Sequence, residues 1–121
     1  MGKPSSVIWV GVGERELSPD DEAKLPAELR KILEVGIGEA DVPGFTFEVI
    51  DYGDPETADS GPFAGFGVVV HRGWYDAGVV EIDLDEVAAK AKALLAEVRS
   101  MFQKWGLTIE PRVLTACPYS G

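Results

Sequence analysis

The sequence predicts an α+β two-layer sandwich: a mostly antiparallel five-stranded sheet with two helices on one face, in the order β-α-β-β-β-α-β, a ferredoxin-like plan with an added strand. Three observations carry this. Leu84 to Trp105 reads as one long amphipathic helix, apolar at Leu84, Val87, Ala88, Ala91, Leu94, Leu95, Val98, Phe102 and Trp105, the i, i+3, i+4, i+7 spacing of a buried stripe. Strand-like runs flank that helix on both sides, so it has a sheet to cover. Only one other segment carries a helical pattern, and two helices are too few to cover both faces of such a sheet.

The elements follow in order. Ser6 to Val12 is a nearly continuous apolar run, the mark of a central strand. Ser18-Pro19-Asp20-Asp21 is a helix start, with Ser18 as cap, Pro19 at the first helical position and two carboxylates at the positive helix end. Pro26 lacks the donor a helix interior needs. The segment is therefore a short turn at 19–25 followed by a helix restarting at Pro26, or one kinked helix, buried through Leu25, Leu29, Ile32 and Leu33 and ended by Gly36 and Gly38. Phe45 to Tyr52 alternates, with Phe45, Phe47 and Val49 on one face and Thr46, Glu48, Ile50 and Tyr52 on the other.

Gly53 to Pro62 is polar, acidic and turn-forming, a loop. Gly65–Arg72 and Gly78–Asp83 read as two further strands joined by a hairpin through Trp74 and Tyr75. Asp83 then caps the long helix, with Glu86 three residues on in the manner of a capping box, and Gly106 stops it. Leu107 to Thr115 is the last strand, held to an edge or a bulge by Pro111.

A chain of 121 residues suits a single domain, with 1–5 and 116–121 as flexible termini. Its net charge is −10, from 21 Asp and Glu against 11 Lys and Arg, which speaks against a nucleic-acid or membrane-surface partner. The same acidity suits a basic protein partner, or serves only solubility. No run approaches the apolar length that spans a bilayer, and no secretory leader is visible, so a cytoplasmic protein is expected. Cys117 is the single cysteine, which precludes an internal disulfide. No cofactor is expected.

Gly11-Val12-Gly13 follows a strand and precedes a helix, but Glu14, Glu16, Asp20 and Asp21 come next and no phosphate-loop lysine is present. Carboxylates at that helix end would repel a phosphate, so the glycines serve a turn. The stretch Gly11, Gly13, Leu17, Asp20 or Asp21 and Glu22 resembles the opening of the hydrogenase-maturation endopeptidases, a family with a doubly wound sheet. That resemblance implies a metal-binding carboxylate after a second strand, matched by Asp51, and a later histidine, matched by His71. The sequence departs from the family in having Glu14 where an Asn stands and in lacking the glycines after the acidic pair.

Two functional readings follow. The leading one is a non-enzymatic binding or assembly module acting through the sheet face opposite the helices. That face is assigned Glu48, Ile50, Tyr52, Val69, His71, Val79, Glu81, Thr108, Glu110 and Arg112, with Trp74 and Tyr75 nearby. Its partner is a second copy or a basic protein that the acidic chain inhibits. The binding residues expected are Tyr52, His71, Trp74, Tyr75, Glu81 and Arg112. The alternative is a small metal-dependent hydrolase with Asp51 and His71 as its catalytic pair and Asp21 or Glu22 as a further ligand, since carboxylates and an imidazole can hold a divalent cation and acidify its water.

Overall fold

The computed structural model describes residues 4–13, 16–36, 38–50, 65–74 and 82–116. Five strands lie in these segments: β1 (Pro4–Gly13), β2 (Glu39–Val42), β3 (Phe45–Ile50), β4 (Gly65–Trp74) and β5 (Arg112–Ala116). Three helices accompany them: α1 (Pro19–Ala23), α2 (Ala27–Val35) and α3 (Leu84–Trp105). The strands form one sheet in the order β2-β3-β4-β1-β5, and every neighbouring pair is antiparallel. Leaving β2 aside, the chain runs β-α-β-β-α-β with β1 and β4 at the centre. The α+β class is as the sequence predicts.

The side chains explain the layering. Val10 and Val12 of β1, Phe47 and Val49 of β3, and Phe66, Val68 and Val70 of β4 meet Leu29 of α2 and Ala91, Val98 and Phe102 of α3 in one core. Both long helices therefore share one face of the sheet. Trp105 closes this core against Phe47, with ring centroids 5.8 Å apart. Leu84 and Ala88, which the apolar spacing assigned to the buried stripe, are exposed, whereas Glu86 and Val87 of the same turns face Val70 and His71 of β4.

Local chemistry fixes the boundaries. The Ser18 hydroxyl accepts from the Asp21 amide and starts α1. Pro26 splits the segment into α1 and α2 rather than kinking one helix. Gly36 and Gly106 end α2 and α3 in the left-handed region, at φ 83° and 79°.

Three strand expectations change. β2 was not predicted, being four residues with two carboxylates; it exists because the turn at Pro43-Gly44 folds it back on β3. The last strand begins at Arg112 rather than Leu107, because the Thr108 amide bonds to the Asp21 carboxylate and Pro111 has no donor. The strand expected at Gly78–Asp83 falls largely outside the described residues; Ile82 and Asp83 belong to no strand, and Asp83 caps α3.

The reverse face of the sheet is not open at its centre. Val7, Trp9 and Ile50 form a second cluster with Val69 and Leu114, and Trp9 is only 2% exposed. The Trp9 indole donates to the Val12 carbonyl at 3.2 Å and lies where a Gly65 side chain would be. Gly11 and Gly67 face each other on the same side, and a Cβ on either would strike the backbone carbonyl of the neighbouring strand. Glu48 and Arg72 add an ion pair at 2.5 Å.

Candidate functional site

The chain's one histidine leads to the site. Along β1 and β4, Ile8 pairs with His71 but Trp9 pairs with Val69, so Val70 is an extra residue without a partner. This is a bulge, and it places two successive side chains on one side of the sheet. Val70 and His71 both turn toward α3, and Arg72 takes the reverse-face position that strict alternation assigns to His71. The assignment of His71 to the reverse face is thus corrected, and the inserted Val70 is the reason.

His71 enters a cleft of about 230 Å³ between the end of β4 and the first turns of α3. Val70 and Val87 line it with apolar surface, and Ile82, Asp83, Glu86 and Lys90 complete it. The Asp83 carboxylate accepts from the Glu86 amide at 3.1 Å, so it is committed to capping. His71 is half-buried, whereas Glu86 and Lys90 are exposed. Ile82, which lines the cleft, is 46% exposed, and Leu84, two residues on in the first turn of α3, is a second large apolar side chain left in water at 74% exposure.

Asp21 sits elsewhere and does something else. It is 1% exposed and accepts from the Thr108 amide at 3.0 Å and the Thr108 hydroxyl at 2.7 Å. The amide bond first, then the hydroxyl bond, hold its carboxyl below the usual pKa; burial opposes them, and the nearby Lys24 charge adds to them. Lys24 in turn donates to the Gly106 carbonyl at 3.0 Å. Together these bonds latch α1 onto the connection between α3 and β5.

This latch lies at the Gly13 end of β1, whereas His71 is level with Ile8. Five residues of strand, roughly 16 Å, separate the two levels. The ligand set Asp21, Asp51 and His71 is not brought together: Asp21 is bound to Thr108 at the opposite end from His71, and Asp51 lies outside the described residues. Among the described residues no three His, Cys, Asp or Glu side chains are placed to hold a metal ion.

Arg112 is exposed on β5 and paired with Glu16, which also accepts from the Gly13 amide at 2.7 Å. Thr108 and Glu110 precede β5 and belong to no sheet face. Tyr52, Tyr75, Val79, Glu81 and Cys117 lie outside the described residues; the Trp74 backbone ends β4 opposite Pro4. Sequence reasoning missed Ile82, Glu86 and Lys90 as cleft residues. A visible signal was the alternation of acidic and apolar residues in Glu81-Ile82-Asp83-Leu84-Asp85-Glu86.

No protein-family model, curated protein or solved structure matches the chain. No helix among the described residues is long and apolar enough to cross a membrane.

Proposed function

We propose that the chain is a small acidic binding module that grips a basic protein segment at the α3 end of the sheet, with inhibition of that partner as its consequence. The observation that carries this reading is exposed Ile82 on the His71 cleft, followed two residues on by exposed Leu84, with the exposed carboxylates Asp83, Asp85 and Glu86 interleaved along the same segment. Asp83, Asp85 and Glu86 supply three exposed carboxylates within four residues, and Lys90, one turn further along α3, is the cation in the cleft lining. Carboxylates around an apolar contact attract a cationic partner from a distance, while the apolar pair supplies the short-range attraction. This moves the contact from the reverse sheet face, whose apolar centre is already buried, to the end of the sheet. The hydrolase reading on Asp51 and His71 has no comparable support, since Asp21 is engaged far from His71.

The test is an NMR titration of the isotope-labelled protein with a Lys-rich amphipathic peptide and with its Glu-for-Lys counterpart. The basic peptide is expected to shift His71, Ile82, Leu84 and Val87, with affinity falling as salt rises. Leu84→Lys is expected to weaken that binding at least about tenfold, equivalent to about 1.4 kcal/mol. Shifts scattered over all acidic surfaces, or equal shifts with both peptides, contradict the proposal.

A further inference from the structure

The two edges of the sheet are built differently. β2, at one edge, is four residues long and exposes Glu39 and Asp41, and short charged edge strands resist pairing with another chain. β5, at the other edge, is Arg112-Val113-Leu114-Thr115-Ala116 and contains no carboxylate. Its one charge, Arg112, is already paired with Glu16. Val113 is 44% exposed and Thr115 is exposed, so β-favouring side chains stand in water there. Among the described residues only β1 pairs with β5, which leaves the outer backbone groups of β5 without a strand partner.

Charge selects the occupant. Residues 84–116 hold Lys90, Lys92, Arg99, Lys104 and Arg112 against Asp85, Glu86, Glu97 and Glu110, a net of +1. The rest of the chain therefore carries −11 of the total −10. Two copies of so acidic a molecule repel one another least where carboxylates are few and paired; β5 itself has none, and the neighbouring Glu16 is neutralised by Arg112, which leaves Glu110, two residues before the strand, as the exposed acid nearby. The strand also complements itself. In an antiparallel two-fold pairing centred on Leu114, Val113 faces Thr115 of the second copy and Arg112 faces Ala116, with no like charges directly opposed. Pro111 stops the pairing from running further toward the chain start and so helps set its register.

We propose that β5 pairs antiparallel with β5 of a second copy, joining two sheets edge to edge. The proposal does not rest on the cleft reading, because the two surfaces share no residue.

Sedimentation equilibrium of the full chain over a range of concentrations tests it, with Val113→Lys and Val113→Glu as variants. Val113 is an exposed edge position, and each variant alone places two like charges diagonally across the junction. The wild type is expected at twice the chain mass. Each variant is expected to raise the dimer dissociation constant at least about tenfold, equivalent to about 1.4 kcal/mol. An equimolar mixture of the two variants is expected to regain the dimer, which a misfolded chain cannot do. Leu84→Lys, which removes the apolar contact proposed for the basic partner, is expected to leave the dimer intact. A wild type at single-chain mass throughout, or a dimer unaffected by either Val113 variant, overturns the proposal.

Discussion

Asp21→Ala and Asp21→Asn probe how the first turn of helix stabilises the fold. The Asp21 carboxylate accepts two hydrogen bonds from Thr108, 87 positions away in sequence, and is 1% exposed. Each bond to an ionised acceptor contributes about 1.5–3 kcal/mol in favourable cases. Thr108 itself is exposed, so water replaces part of what is lost and the lower end applies. Asp21→Ala is therefore expected to cost about 2–3 kcal/mol. Asp21→Asn, which keeps one carbonyl acceptor, is expected to cost about 1–2 kcal/mol, and Thr108→Val, which keeps the amide donor, about 1 kcal/mol.

In a chain of this length each kcal/mol moves Tm by about 3–6 °C, so calorimetry resolves the order Ala, Asn, Val. The pH dependence adds a second readout. The folded pKa of Asp21 lies below its unfolded value, so the latch contributes fully above the unfolded value of about 3.9 and fades as pH falls through the folded value. The stability gap between wild type and Asp21→Asn is therefore expected at neutral pH and expected to narrow in acid. A Tm for Asp21→Asn equal to wild type at neutral pH, or a gap indifferent to acid, refutes the latch.

Other outcomes follow from the same packing. Gly67→Ala drives a methyl group into the Val10 carbonyl and is expected to lower stability by at least about 2 kcal/mol in urea unfolding. Trp9→Ala empties the reverse-face cluster and is expected to cost about 3–5 kcal/mol, whereas Trp9→Phe costs less because an aromatic ring still fills part of that space, although the indole donor to the Val12 carbonyl is lost. Leu84→Ser is expected to leave the unfolding free energy within about 0.5 kcal/mol of wild type, since the side chain is exposed and covers none of the core. A large loss there would mean that Leu84 belongs to the fold rather than to a contact.

Much of the architecture was legible because it rests on local rules. α3 shows its cap at Asp83 and its stop at Gly106, and both hold in the fold; its apolar stripe holds from Ala91 onward and at Val87, but not at Leu84 and Ala88. The alternation of Phe45 to Ile50 separates the two faces of β3 correctly, with Phe47 in the main core and Ile50 in the reverse cluster. What escaped depends on distant partners or on one inserted residue. β2 is too short and too acidic to show strand periodicity and exists only as the return arm of a turn. Val70 looks like its valine neighbours, so nothing local marks it as the bulge that turns His71. Asp21 reads as a helix-end charge, and its partner Thr108 lies a chain's length away. Leu84 fits the apolar period of α3 but is 74% exposed, since the period marks a stripe without saying which of its members the sheet covers.

The functional reading depends on His71 facing α3 rather than the reverse of the sheet. Side-chain NOEs from the His71 ring measure this directly. Cross-peaks to the Val87 methyls, with none to Leu114, are the predicted result. Cross-peaks to Leu114 or to the Trp9 indole, without any to α3, would contradict the bulge, the cleft and the contact proposed there.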